Sequence, residues 1–334
     1  MARLLKTKEL AEDIKHYIKD VRADLEGDGK TTGLGIVRVG NNPSDIAYEK
    51  SIGKYAEEVG IDTSFYEVEQ DIDEDDLLEL LEEINEDVDI DGILIFRPLP
   101  DQIDTDLIKE AVMPLKDIDG ISGTSIALLY DTPMEAEDEI MPSWLGAGFP
   151  PCTPEACMLI LDRYGIDVSG KKAVVIGRSD VIGKPISLML LNRDATVTIC
   201  HSKTQNLSEI TKEADILVAA TGKPESIGEE YVSPGQTVID VGIHVKPDGK
   251  MCGDVNFDEV EPIVENITPV PGGVGGLTTA LLVKHAVDAS MRFFIIENDT
   301  EMEEDGYDPS ESLDDSSMEI QGKVIKFNRP GDDD

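Results

Sequence analysis

In MARLLKTKELAEDIKHYIKDV the apolar residues recur every three or four positions between charged ones, the spacing of a helix with one buried face. From residue 33 the rhythm changes. Short apolar runs now alternate with helix-like stretches: GLGIVRVG predicts a strand, Asp45 to Val59 a helix, and DGILIFRPLP a buried strand ending in a proline-rich turn. A second series begins near residue 150, with KKAVVIG, ATVTIC, DILVAAT and QTVIDVG as strands spaced by helix-like segments. Strand and helix in alternation predict an α/β fold with a mostly parallel sheet, and the second series has the rhythm of a doubly wound, Rossmann-like nucleotide-binding domain. Between the two series, YDTPMEAEDEIMPSWLGAGFPPCTP is rich in Pro, Gly and acids and has no period, so the domain boundary is expected there. After the helical TTALLVKHAVDASMRFF, the chain from Asn298 is acidic, Ser-rich and poor in apolar residues. It is expected to be mostly disordered, with EIQGKVIKF able to pair as a strand.

Composition narrows the classes of function. A chain of 334 residues, 40% hydrophobic, holds two ordinary domains. Its formal net charge of −41 argues against nucleic acid and anionic lipid as partners, because such a surface repels both. The acidity also fits a high-salt cell interior, although Lys outnumbers Arg and part of the excess sits in the tail. The N-terminus lacks the apolar stretch of a signal peptide, and no later run suits a bilayer span. Cys152, Cys157, Cys200 and Cys252 form no CxxC pair and are too sparse for a disulfide framework, so reduced thiols in a cytoplasm are expected, and no metal.

VVIGRSDVIGKPISLMLL sets Gly177, Ser179 and Gly183 directly after an apolar strand and before an amphipathic helix. Small residues there let backbone approach a pyrophosphate, and the helix start supplies N–H donors. The spacing G-x-S-x-x-x-G differs from the common G-x-G-x-x-G, and the strand-helix context carries the reading. NAD sites commonly place Asp or Glu at the end of the next strand; here ATVTIC runs into His201, Ser202, Lys203 and Thr204. With Arg178 beside the loop, this cationic, hydroxyl-bearing end favours the 2′-phosphate of NADP, with NAD as the alternative. The plainer reading is that Arg178 and Lys203 solvate a surface.

SDIAYEKSIGKY poses a different question. On a helix of about 100° per residue, Ser44, Ser51, Ile52 and Tyr55 share the face of Tyr48. Lys50 falls about 200° away and Lys54 about 240° away, so neither lysine shares a cleft with the tyrosine. Taken alone, Tyr48 reads as a half-buried packing residue, and Asp117 and Asp119 read as turn residues before Gly120.

Together, VGNNPSDIAYEKSIGKYAEEVGI, DGILIFRPLP, KDIDGI, PPCTPEA, GRSDVIGKP, ATVTICHSKT, ADILVAATGKP, VIDVGI, GDV and PVPGGVGGLTTALL occur in one order over roughly residues 1 to 290. In that set the chain resembles the methylenetetrahydrofolate dehydrogenase/methenyltetrahydrofolate cyclohydrolase enzymes, often called FolD. The resemblance implies an N-terminal folate-binding catalytic domain over 1–145 with a return helix at 277–297, a nucleotide domain over 146–276, and a homodimer, which leaves the acidic tail over 298–334 outside it. It implies oxidation of 5,10-methylenetetrahydrofolate by hydride transfer to NADP, followed by hydrolysis of the methenyl product to 10-formyltetrahydrofolate. By position, Tyr48 would stack on the aminobenzoate ring of the folate and Asp119 would bind the pterin edge. Pro98, Leu99, Pro271, Gly272 and Gly273 would line the folate cleft. Gly177, Arg178, Ser179, Gly183, His201, Ser202, Thr221, Gly222, Gly242 and Ile243 would hold the nucleotide.

The chain departs from the family pattern at the acid/base. The family helix reads S-x-x-Y-x-x-x-K-x-K, and its first lysine drives the cyclohydrolase step; that position is Ile52. The glutamine that tunes this lysine is replaced by Phe96. Both polar partners have become apolar, which implies a repacked pocket, and hydrolysis without a proton-transfer group forgoes about 10²–10⁴-fold. A dehydrogenase with cyclohydrolase activity weak or lost is therefore expected. The rivals are an ordinary bifunctional enzyme, in which Arg97, Lys50 or a water chain replaces the lysine, and a folate- or NADP-binding regulatory protein without catalysis. A generic Rossmann oxidoreductase would leave the N-terminal motifs unexplained. Two smaller departures are Gly276, where a proline is usual and whose glycine is expected to loosen the loop, and a long stretch from Asp131 to Pro150 with Trp144, read as a surface insertion before a flap.

Overall fold

The computed structural model describes residues 1–131 and 148–304, the last of these (299–304) by backbone alone, and the backbone of two short strands further on. Strand β1 (Arg3–Leu4) and helix α1 (Lys8–Gly27) open the chain, and α1 buries Leu10, Ile14, Ile18, Val21 and Leu25 along one face. Next come β2 (Gly33–Val39), α2 (Pro43–Val59), β3 (Asp62–Val68), α3 (Glu74–Glu86) and β4 (Gly92–Ile95). Their strands form a three-stranded parallel sheet in the order β3-β2-β4. Helix α2 starts slightly before Asp45 because the Asn42 side chain accepts the Ser44 N–H at 2.9 Å and Pro43 occupies the first turn.

Helices α4 (Thr105–Ala111) and α5 (Gly123–Asp131) complete this layer. The expected domain boundary near residue 145, Trp144 and most of the long stretch after Asp131 lie outside the described residues. The second series then runs α6 (Cys152–Arg163), β5 (Lys172–Ile176), α7 (Gly183–Asn192), β6 (Thr196–Cys200), α8 (Leu207–Lys212), β7 (Ile216–Ala219) and β8 (Thr237–Asp240). A hairpin of β9 (His244–Val245) and β10 (Met251–Cys252), helix α9 (Phe257–Val260) and β11 (Asn266–Ile267) precede the long helix α10 (Thr278–Glu304). Six parallel strands form the second sheet in the order β1-β11-β8-β7-β5-β6, a Rossmann-like α/β layer.

The sequence expectations need correction in two places. The first residues do not belong to the N-terminal layer: Arg3 pairs with Asn266 and Leu4 with Ile267 on the edge of the second sheet. A two-residue strand is too short to show a period. The last helix also runs past 297 to Glu304, since residues 298–304 contain no proline or glycine to stop it. Beyond it, β12 (Met318–Ile320) pairs antiparallel with β13 (Lys323–Ile325), inside EIQGKVIKF and its flank; the remainder of the tail lies outside the described residues.

Helix α10 packs on α1, α2, α6 and β4. Its Leu281, Ala286 and Val287 join Ile14, Ile36, Ile52, Ile160, Val175 and Leu190 in one buried cluster, so both sheets are tied to a shared core. Among the described residues no helix is long and apolar enough to cross a membrane.

Candidate functional site

Tyr48 sits on α2 with its ring 37% exposed, one turn from Ile52, which is fully buried. Phe96, just past β4, is 8% exposed and meets Tyr48 edge-on, with ring centroids 5.8 Å apart and planes at 89°. Ile52 and Phe96 belong to the same apolar cluster. Lys50 and Lys54 are exposed or nearly so on other faces of α2, as the helical wheel requires. Burial pushes the Tyr48 phenol up to about 12, helped by the nearby Cys152 and Asp119 and partly offset by hydrogen bonds with Thr279 and Thr278 at the start of α10. Those threonines escaped the sequence reading because they come from the far end of the chain.

The two aspartates of KDIDGI have separate fates. Asp117 is fully buried and accepts the Ile121 and Ser122 N–H groups at 3.0 and 2.9 Å and the Ser125 hydroxyl at 2.6 Å, so it builds the turn. Asp119 points to the groove, where Arg97 Nη2 donates to its Oδ2 at 2.8 Å. Gly120 between them and α5 has φ +58°, and a Cβ there would sit 2.3 Å from the Phe149 carbonyl, which only glycine avoids. Burial raises the Asp119 carboxyl above its ordinary value, Arg97 pulls it down, and Asp117 pushes it up again. From behind, His285 on α10 donates from Nδ1 to the Ile118 carbonyl at 2.7 Å while its Nε2 meets Glu155 at 2.6 Å. The Cys152 thiol lies 3.7 Å from the same ring, and burial, with Asp119 and Glu155 nearby, holds it well above the ordinary thiol range. It is a packed thiol, not a nucleophile.

The groove beside Asp119 is bordered by Arg97, Gly120 and Pro151 on one side and by Asp180 and Val181 of the glycine loop on the other. Lys109 also borders it, with Nζ held by Asp106 at 2.8 Å. Pro98 is exposed nearby in sequence, whereas Leu99 is buried in a different cluster with Leu77, Leu81 and Ile103, so its side chain packs away into the core. Thr7 ties down the loop after β11: its hydroxyl donates to the carbonyls of Gly273 at 2.9 Å and Gly272 at 3.2 Å, and Pro271 is exposed. Gly276 donates its N–H to the Gly273 carbonyl at 2.9 Å, a bond that the family's usual proline would lose.

The remaining residues gather at the carboxyl ends of β5, β6, β7 and β8. A Cβ on Gly177 would lie 2.5 Å from the Ala220 carbonyl, at the point between β5 and β7 where the strand order reverses. Open α/β sheets bind ligands at such a point, and this glycine keeps its floor low. Ser179 accepts the Ile182 N–H at 3.1 Å and packs the turn into Gly183 and α7. Arg178, Ser202 and Lys203 are exposed, and His201 Nδ1 accepts the Lys203 N–H at 3.1 Å. Asp254, which sequence reasoning did not single out, orders the next turn: its Oδ2 accepts the Thr221 and Gly222 N–H groups at 2.6 and 3.0 Å, and its Oδ1 meets His244 Nε2 at 2.7 Å. Asp240 accepts the Gly242, Asp254 and Val255 N–H groups, yet burial pushes its carboxyl up to about 7. Ile243 is exposed and reaches Gly275, linking the β8 end to the loop that Thr7 holds.

A parallel sheet with a glycine turn at its switch point, facing a second α/β layer across a groove, defines the class of two-domain dinucleotide-binding α/β proteins. Within that class the chain belongs to the tetrahydrofolate dehydrogenase/cyclohydrolase family: residues 5–119 match its catalytic domain and residues 151–294 its NAD(P)-binding domain. The bifunctional protein FolD of Carboxydothermus hydrogenoformans is 48% identical over 292 residues, covering 86% of this chain and 97% of that protein. The crystal structure of the bifunctional enzyme FolD from Campylobacter jejuni superposes with a TM-score of 0.81 at 39% identity, covering 87% and 99% of the two chains. That of the Trypanosoma brucei dehydrogenase-cyclohydrolase, complexed with NADP cofactor and inhibitor, gives 0.80 at 29% identity, covering 88% and 98%.

Proposed function

We propose that this protein oxidises 5,10-methylenetetrahydrofolate to the methenyl product with NADP, and that its cyclohydrolase activity is weak or lost. One observation carries the second part: the positions of the family's lysine and glutamine are held by Ile52 and Phe96, both sealed in apolar core. Oxidation does not need them, because the substrate's own nitrogen lone pair stabilises the carbon that loses hydride. Tyr48 stacks on the aminobenzoate ring. Asp119 accepts from the pterin edge as a fork, and the 271–273 loop closes the cleft with Pro98, while Leu99 contributes backbone only. The floor at Gly177, the ordered turns at Thr221 and Gly242 and the start of α7 suit a dinucleotide pyrophosphate. When bound, NADP supplies the hydride acceptor. Arg178, Ser202 and Lys203 favour its 2′-phosphate over the diol of NAD. The same reading carries a homodimer working in the cytoplasm.

An ordinary bifunctional enzyme is the alternative, and Lys109 at the groove edge is the residue that favours it. A spectroscopic assay with 5,10-methylenetetrahydrofolate and NADP, then NAD, in buffer that hydrolyses methenyl slowly decides between them. Methenyl is expected to accumulate in step with reduced nicotinamide and to decay only at the buffer rate. Reduced nicotinamide without methenyl build-up would establish a hydrolytic group and refute the loss.

A further inference from the structure

Arg97 follows Phe96 at the end of β4, and its pairing with Asp119 is a poor investment in stability. Its Nε is buried without a hydrogen-bond partner among the described residues, and an orphaned donor is a net cost. Its side chain and that of Asp119 are only 17% and 22% exposed, a setting in which desolvation offsets much of an ion pair's attraction. A leucine would fill the same space without either cost. What the arginine changes is the state of Asp119, whose other neighbours are the buried Asp117, the thiol of Cys152, the phenol of Tyr48 and, behind Ile118, the His285–Glu155 pair.

We propose that Arg97 is a positioning residue for folate: its guanidinium pins Asp119 Oδ2, favouring the carboxylate form and keeping it in one rotamer, ready to accept two N–H groups of an amide–amidine ring edge. A carboxylate has roughly four lone-pair sites, so the bond from Arg97 leaves room for a forked ligand. Without the arginine, burial and Asp117 both favour the neutral acid, which accepts less well and is free to turn. The loss falls on ground-state and transition-state binding alike, because the pterin edge lies away from the reacting carbon. This inference rests on the reading of Asp119 as a folate contact.

The test compares Arg97→Leu, Arg97→Lys and Asp119→Asn in the full-length protein by steady-state kinetics with 5,10-methylenetetrahydrofolate and NADP. For Arg97→Leu the folate KM rises about tenfold, the scale of one charge-assisted hydrogen bond, with kcat and the NADP KM within about twofold of the parent. Arg97→Lys recovers most of the folate KM, because an ammonium still supplies the charge. Calorimetric titration of tetrahydrofolate onto the same proteins reports the same order of affinities, and a thermal melt confirms that the variants fold. If Asp119→Asn leaves the folate KM unchanged, the reading of Asp119 fails and the inference with it. If Asp119→Asn raises the KM but Arg97→Leu does not, or if Arg97→Lys is as weak as Arg97→Leu, the role of Arg97 alone is overturned.

Discussion

The proposed loss of hydrolysis turns on position 52, one turn from the tyrosine. Ile52 is fully buried, so a single Ile52→Lys change places an ammonium in an apolar core and destabilises the protein by several kcal/mol. Adding Phe96→Gln supplies a hydrogen-bond partner from the neighbouring strand end. The double variant is expected to hydrolyse methenyltetrahydrofolate about 10²-fold faster than the parent, measured as methenyl decay above the buffer rate, whereas neither single change does so. These positions were legible in the sequence because they sit inside contiguous, ordered motifs. Arg97 on Asp119 was not, since a spacing of 22 residues says nothing about contact until β4 and the following turn are folded together. Asp254 and Thr279 escaped for the same reason: each acts on a turn or ring that another part of the chain supplies.

Among the elements, most of the legible strands are buried on both faces, although edge strand β6 was also read from ATVTIC despite its mixed exposure. β2, β4, β5, β7 and β8 read as largely apolar runs because parallel strands covered by helices have little polar face. β3 was missed because DTSFYEV is mostly polar, with only Phe65, Tyr66 and Val68 apolar, and β1 and β11 because two residues carry no pattern. Helix α2 was expected from its period, but not the device that aligns it. Arg38 on β2 donates to Glu49 on α2 at 2.8 Å, with the two side chains 3% and 7% exposed, and its Nη2 reaches Glu67 on β3 at 2.7 Å. Glu49 adjoins Tyr48, so this pair fixes the pitch of the helix face that carries the ring. Glu49→Ala leaves a buried guanidinium with Glu67, the Gly40 carbonyl and Asn41 Oδ1 as its remaining partners. It is expected to cost about 3 kcal/mol in chemical denaturation and to weaken tetrahydrofolate binding.

For the whole molecule, a net charge of −41 means that the folded state is held together against its own repulsion. Screening relieves that repulsion over a Debye length of about 10 Å at 0.1 M salt and about 3 Å at 1 M. Raising sodium chloride from 0.1 to 1 M is expected to raise Tm by about 5 °C, and a melting temperature that stays flat or falls with salt would contradict this. Charge was fully legible from composition, and the two α/β layers from the alternation of strand-like and helix-like segments. The return of the last helix was implied by the family resemblance, and α10 does pack on α1, α2 and β4; the crossing of β1 was not legible, because two residues carry no pattern.

That crossing bears on how the protein is born. Arg3 and Leu4 are synthesised well before their strand partners, Asn266 and Ile267, far along the chain. The core of the N-terminal layer likewise waits for Leu281, Ala286 and Val287 of α10. Neither half can therefore finish while translation is under way, and a nascent chain halted before residue 266 carries an open sheet edge and an uncovered apolar face together. Such a chain presents two sticky surfaces at once, an open strand edge and bare apolar core, and is prone to associate with its neighbours.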